Sequence, residues 1–315
     1  MELSVIISTH NPDVGRLNRA LHALAKQSLD PGLWETVLVD NASVPSLALS
    51  QLDSSILTSN IRIVTETKLG LTSARRRGFM ETDSEILVMV DDDNILHQDY
   101  LKNVLSIFAH HGRVGAIGGR SEPEFESAPP SWVREFDDLL ACRDLGHLPL
   151  LAKMELDKAG QLRVYPGCAP IGAGMALRRR ACAGWLLKNE SSLLSDRKGT
   201  ELTSGGDNDI IFSILEQEWE VGYFPELSLI HLIPSARANK GYLAKLNRGI
   251  AMSWIQVLSQ HGACPWRAIQ PWTVPLRQMK AWVTYHAWSG PEAFIRWQGA
   301  CGHFAGLAAI DRPHI

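Results

Sequence analysis

The 315-residue chain lacks several features that would point early to a class of function. Cysteine is sparse. Cys142, Cys168, Cys182, Cys264 and Cys301 are odd in number and widely spaced, and no Cys-x-x-Cys pair occurs. That spacing suits neither a zinc site nor a disulfide frame, and fits reduced thiols in a cytosolic protein. Net positive charge is missing as well: 31 Lys and Arg stand against 34 Asp and Glu, a formal charge of −3. Such a balance supplies no electrostatic case for nucleic acid as a partner. No apolar run is long enough to span a bilayer. Met1-Glu2-Leu3 leads directly into a strand-like run without a basic n-region, so no signal peptide is expected. Repeats and low-complexity tracts are absent too. The expected location is cytoplasmic, with the inner face of the plasma membrane as an alternative place of work.

What is present is ordinary in bulk and specific in detail. An apolar share of 45% with 21% charged residues fits a soluble globular chain, long enough for one large domain or a domain with an appendage. The organising stretch is Ile86–Leu96, which reads Ile-Leu-Val-Met-Val-Asp-Asp-Asp-Asn-Ile-Leu. Its apolar half suits a strand buried on both faces, and Asp91, Asp92 and Asp93 then fall at the sheet rim, where open α/β sheets bind ligands. If the extended chain continues, Asp91 and Asp93 project to one side and Asp92 to the other. Two hard oxygen donors so spaced suit a Mg²⁺ or Mn²⁺ ion that also holds phosphates. A solvated acidic turn is the plain alternative.

Around that stretch, strand-like runs alternate with helical periodicity. Leu3–Ser8, Thr36–Val39, Ile61–Val64 and Val114–Gly119 read as strands. Leu17, Ala20, Leu21 and Leu24 read as one helix face, and Tyr100, Leu101, Val104, Leu105 and Phe108 as another. The pattern predicts an α/β fold with a mostly parallel sheet flanked by helices. Ser121–Pro130 reads as an exposed loop, and Trp132–Leu151 as helix or lid. Gly172–Leu177 reads as a turn feeding a strand, and Thr203–Asp209 as a polar turn before a helix bearing Ile210, Ile211, Ile214 and Leu215. Val221–Phe224 and Leu227–Leu232 read as two further strands. A boundary is placed near residue 235, before a helical C-terminal region of 236–315 that holds Trp254, Trp266, Trp272, Trp282, Trp288 and Trp297.

Six stretches, in order, carry a resemblance: Val5-Ile6-Ile7-Ser8-Thr9-His10-Asn11-Pro12, Val37–Ser43, Gly70–Gly78, Val90–Asn94, Gly172–Arg179, and Gly205-Gly206-Asp207-Asn208-Asp209 with His231. Over residues 1–235 the chain resembles a family 2 glycosyltransferase of the GT-A fold, closest to bacterial enzymes of surface-polysaccharide synthesis. It departs from the family in two places. His10 stands where the family more often has Tyr, and Gly206-Asp207 replaces the usual Glu-Asp pair.

The resemblance implies an inverting transfer from a nucleotide-diphospho sugar, a UDP-sugar favoured, to a glycan or lipid-linked glycan. Residues 1–120 would bind the donor and 121–235 face the acceptor. Asp207 would be the general base; capping the following helix is its plain alternative. Asp40 would read the base and Thr9 contact the nucleotide, although Asp40 could equally cap a turn. Arg75 would hold base or phosphate oxygens. Asp91 and Asp92 would lie on the donor side, Asp91 at the ribose. Asp93 and His231 would hold Mn²⁺ or Mg²⁺. Gly174, in the Gly172-Ala173-Gly174 loop, would let backbone approach the donor sugar. The tryptophans of the tail are expected mostly to pack inward, with peripheral membrane contact as the alternative. Two rival functions remain: a non-catalytic nucleotide-sugar binding module, and a sugar-nucleotide nucleotidyltransferase. The second would want a Gly-rich basic loop after the first strand, and Ser8-Thr9-His10-Asn11-Pro12 is not one. A dehydrogenase is disfavoured because no Gly-x-Gly-x-x-Gly follows that strand.

Overall fold

Seven consecutive buried residues, Leu3–Thr9, form β1 at the heart of a nine-stranded sheet. The computed structural model describes residues 1–56, 60–188 and 205–310, so Thr203 and Ser204 of the expected polar turn lie outside it. After β1 come α1 (Val14–Ala25), β2 (Trp34–Asn41), β3 (Ile61–Glu66), α2 (Leu71–Met80), β4 (Ile86–Asp91), β5 (Asn94–Leu96) and α3 (Tyr100–His110). The chain continues with β6 (Val114–Phe125), β7 (Leu150–Ala152), the small hairpin β8 (Glu155–Leu156) and β9 (Arg163–Val164), β10 (Ala176–Arg178), α4 (Ala183–Leu186), α5 (Gly206–Leu215) and β11 (Glu220–Ile233). Three helices close it: α6 (Lys240–Gln260), α7 (Val274–Thr284) and α8 (Pro291–Ala309).

The strand order is β3-β2-β1-β4-β10-β6-β11-β5, with β7 also paired to β11. The β3, β2, β1 and β4 half is parallel, as the alternation of strands and helices implies. β10 then enters antiparallel between β4 and β6, while β6 and β11 run parallel. β5 and β7 pair antiparallel with β11. Side chains of the central strand divide by parity. Leu3, Val5 and Ile7 join α1 and α3 in one cluster, and Ile6 joins α2, α5 and Trp185 in the other. Each large side chain so buried contributes about 1.5–3 kcal/mol.

Two strand expectations change. The Ser121–Pro130 loop begins only after Phe125, because Ser121–Phe125 extends β6 and pairs with Leu229–Ile233. The two strands expected after Glu220 are one, β11, with its register broken between Tyr223 and Ser228. Pro225 lies in that break, where it has no N–H to give to a ladder. In the Trp132–Leu151 stretch, Ser131–Leu140 is 3₁₀-helical with Phe136 off helical geometry. Its Val133, Phe136 and Leu140 share a core with Leu243, Leu246 and Ile295 of the C-terminal helices. Phe212 of α5 packs in the same way against Val257 and Leu258 of α6.

Candidate active site

Parallel register brings the strand ends to one level: Thr9 lies opposite Asp40, and Ser8 opposite Asp91. The alternation expected for the three acids does not hold. β4 stops at Asp91, and Asp92 and Asp93 form a tight turn into β5. Asn94, fully buried, pins that turn by accepting from the Asp91 N–H at 3.2 Å and donating to Asp93 Oδ1 at 3.2 Å. The three carboxylates therefore take three different partners.

Asp92 accepts a short hydrogen bond from the Thr9 hydroxyl. Burial pushes its carboxyl up, and the Asp93 charge adds to this against the Thr9 bond, bringing its pKa to about 6. Asp93 is buried between His231 of β11 and Arg237 of the turn that follows it. Arg237 Nη1 lies 2.8 Å from Oδ2, and His231 Nε2 lies 3.2 Å from Oδ1. Burial alone would lower the Arg237 pKa, but Asp93 beside it raises it.

The Asp93 and His231 pair can be tested against a divalent ion. Neighbouring ligands around a small octahedral cation with bonds of about 2.1 Å lie about 3 Å apart, as these two atoms do. His231 Nδ1 is buried without a partner. When a ring nitrogen binds metal, the other is normally an N–H held by an acceptor, so Nδ1 is a position still to be satisfied. Among the described residues no group of three or more His, Cys, Asp or Glu could hold a metal. The donor set thus fits an ion that takes its remaining ligands from a diphosphate and water, not a closed protein cage.

The second centre lies around Arg75, on the buried side of α2. Its Nη1 pairs closely with Asp207 Oδ1, and its Nη2 lies 3.6 Å from Asp91 Oδ1. Three expected site residues from α2, β4 and α5 therefore meet at one guanidinium. Asp207 sits in the first turn of α5, where the helix dipole favours a carboxylate, and the cap is the Gly205 backbone. Asn208 accepts from the Tyr165 hydroxyl at 2.8 Å, and Asp209 faces the interior.

Other expected residues stand elsewhere. Asp40 is 1% exposed, and its oxygens accept from the Ser43 N–H at 3.3 Å and the Leu47 N–H at 3.0 Å. These are the turn contacts expected of it as the alternative to reading the base. His10 is a loop residue, its Nδ1 lying 2.7 Å from the Asn41 carbonyl. Gly174 has φ +74°, and a Cβ there would meet Leu229 and the Tyr100 hydroxyl at 2.6 Å, so its conformation and packing require glycine. At Gly172, in the same loop, a Cβ would fall 2.1 Å from Asp207 Oδ2 and 2.9 Å from Arg75 Nη2. A cleft between α1 and β5, lined by Arg19, His22, Lys26 and Glu122 among others, contains none of these residues.

Sequence reading missed Arg237 and Asn94. Asn94 directly follows the acids, and Arg237 follows Pro234 where the strand must end; those were the available signals.

A parallel half-sheet with carboxylates at its C-terminal rim, an antiparallel insertion and an acid-bearing helix facing that rim define a GT-A glycosyltransferase fold. The chain belongs to glycosyl transferase family 2, whose model matches residues 4–183, more than half of it. Among curated relatives, N-acetylgalactosaminyltransferase 7 of Drosophila melanogaster is 31% identical over 106 residues, 33% of this chain and 18% of that protein. Glycosyltransferase AglE of Haloferax volcanii is 28% identical over 121 residues, 38% of this chain and 39% of that protein. The chain thus spans less than half the length of these relatives. Among solved structures, the mannosyltransferase PcManGT from Pyrobaculum calidifontis, in complex with GDP-Man and Mn²⁺, superposes with TM-score 0.57 at 17% identity, covering 95% of this chain and 73% of that one. S. aureus TarS 1–349 superposes with TM-score 0.51 at 13% identity, covering 96% and 89%. Its complex with UDP-GlcNAc gives 0.52 at 11% identity, covering 96% and 90%. At these identities the likeness is one of fold.

Proposed function

We propose that the protein is an inverting, divalent-metal-dependent glycosyltransferase. It would move a sugar from a nucleotide-diphospho sugar, a UDP-sugar favoured, to a hydroxyl of a glycan or lipid-linked glycan in bacterial polysaccharide biosynthesis. The observation that carries this reading is the meeting of Asp207, Arg75 and Asp91 at the rim where the parallel strands end. The complexes of TarS with UDP-GlcNAc and of PcManGT with GDP-Man and Mn²⁺ support a donor of this class.

Asp207 takes the proton of the acceptor hydroxyl as that oxygen attacks the anomeric carbon from the face opposite the diphosphate. One C–O bond forms, the bond from the anomeric carbon to the phosphate oxygen breaks, and the diphosphate leaves with the electron pair. A single displacement inverts configuration and needs one base. Arg75 holds the Asp207 carboxylate in one orientation, so the base is positioned before the acceptor arrives. Asp91 faces the donor ribose. Asp40 would contact the base through the acceptor capacity that the Ser43 and Leu47 N–H groups leave on its carboxylate. Asp93 and His231 would hold the divalent ion, which when bound neutralises charge on the departing diphosphate. An imidazole ligand favours Mn²⁺ over Mg²⁺, which takes oxygen donors.

The test is a thermal-shift screen of UDP, GDP, dTDP and CMP, each with and without Mn²⁺. Ligands that bind only the folded state raise its melting temperature. The expected result is a metal-dependent rise with one nucleoside diphosphate that Asp93→Ala abolishes. No rise with any nucleotide in folded protein would overturn the proposal.

A further inference from the structure

Acidic and basic residues are segregated along the chain. Residues 1–226 hold 22 Lys and Arg against 32 Asp and Glu, while residues 227–315 hold nine against two. Between Glu226 and Glu292 there is no acidic residue at all, and there are seven basic ones.

α7 lies within that stretch. Its inner side is committed to α8: Ala281 is buried, the Trp282 ring packs edge-on against Trp297 at 4.7 Å between centroids, and Trp297 Nε1 donates to the Gln278 carbonyl at 3.0 Å. Its outer side carries Leu276, Met279 and Val283, with Trp272 in the turn just before. These four are 57–71% exposed. Their spacing of four, three and four residues draws one apolar stripe along the helix. Arg277 and Lys280 are exposed beside it. Trp288, just past the helix, is also exposed.

A contiguous exposed apolar stripe marks a contact surface. We infer that α7 docks the protein peripherally on an anionic phospholipid surface. The stripe would enter the acyl boundary, while Arg277 and Lys280 lie at the headgroup phosphates. Trp272 and Trp288 suit the interfacial depth that tryptophan prefers. No helix among the described residues is long and apolar enough to cross a membrane, so α7 lies on the surface. Charge selects this occupant over a second copy of the chain. A two-fold contact through α7 would set Arg277 and Lys280 against the same residues of the other copy, with no acidic residue in the segment to neutralise them.

The experiment is co-sedimentation of the full chain with vesicles of phosphatidylcholine alone and of phosphatidylcholine mixed with phosphatidylglycerol. Binding is expected to the mixed vesicles only and should weaken with salt. Leu276→Gln with Met279→Gln should reduce binding at least about ten-fold. Arg277→Gln and Lys280→Gln should each reduce it roughly five-fold. All four side chains are exposed, so melting temperature and nucleotide-induced shift should match wild type, which separates lost docking from a lost donor site. Val283→Gln alone replaces the double variant if that one fails to fold. The inference is overturned if mixed vesicles do not sediment the protein, or if wild type and stripe variants sediment equally. It is also overturned if light scattering shows an oligomer that the stripe variants convert to monomer.

Discussion

Asp207 and Arg237 show how much the role of a single side chain depends on what faces it. Asp207 reaches its place because Gly172 leaves room beside it and Arg75 fixes its carboxylate. Replacing it by Asn keeps the shape and removes the proposed base. Turnover should fall by roughly 10²–10⁴-fold, with the nucleotide-induced thermal shift retained; a variant that turns over normally would remove Asp207 from the chemistry. Arg237 answers the Asp93 charge at 2.8 Å on the oxygen that His231 does not face. Arg237→Gln leaves that buried carboxylate less compensated and should cost on the order of 1–3 kcal/mol. Mn²⁺ with nucleoside diphosphate should then raise the melting temperature more in the variant than in wild type, since the ion restores a missing positive charge. Equal shifts would show that Arg237 and the ion do not share Asp93. The acids Asp91–Asp93 were legible because an apolar run ends on them. Of the partners of Asp93, His231 was named through the resemblance alone, and Arg237, 144 residues away in sequence, was not legible.

Among the elements, α5 shows how the helix that carries Asp207, the proposed base, is held. Two residues beyond Asp207, Asp209 is buried and accepts from Trp185 Nε1 at 2.9 Å and Lys188 Nζ at 2.6 Å, with His261 Nε2 at 2.8 Å. The other ring nitrogen of His261 lies 2.9 Å from Glu216, so α5 is tied to the end of α6. Burial pushes the Asp209 carboxyl up, but the hydrogen bonds from His261 and Lys188 outweigh it and hold it below its ordinary value. A carboxylate lowered on folding adds stability that is fully present above its unfolded pKa of about 3.9 and is lost as pH falls through the folded value. Asp209→Asn should therefore cost on the order of 3 kcal/mol at pH 7, and urea unfolding should find the gap to wild type narrowing below about pH 4. A gap independent of pH would mean that the network stabilises by shape and not by charge. The apolar face of α5 was legible from Ile210, Ile211 and Ile214. Asp209 looked like another turn acid, because a sequence does not show which polar side chain of a first turn points inward.

For the molecule as a whole, the tail is where reading and structure part most. Trp254, Trp282 and Trp297 are half-buried as packing requires, while Trp266, Trp272 and Trp288 are exposed. The shared core of α6 and α8 with Ser131–Leu140 and β11 makes the helical region continuous with the sheet domain. By itself the sequence determined the alternation of strands and helices, the parallel half-sheet, the acids at its rim and the family. These follow from periodicity and from motif order, which are local properties of the chain. Only the tertiary structure decided that Arg75 pairs with Asp207, that Arg237 faces Asp93, that Asp40 accepts hydrogen bonds from its own loop and that one side of α7 is exposed. Each of those depends on which distant segment the folded chain brings alongside, and local residue patterns encode whether a side chain is buried but not what it meets there.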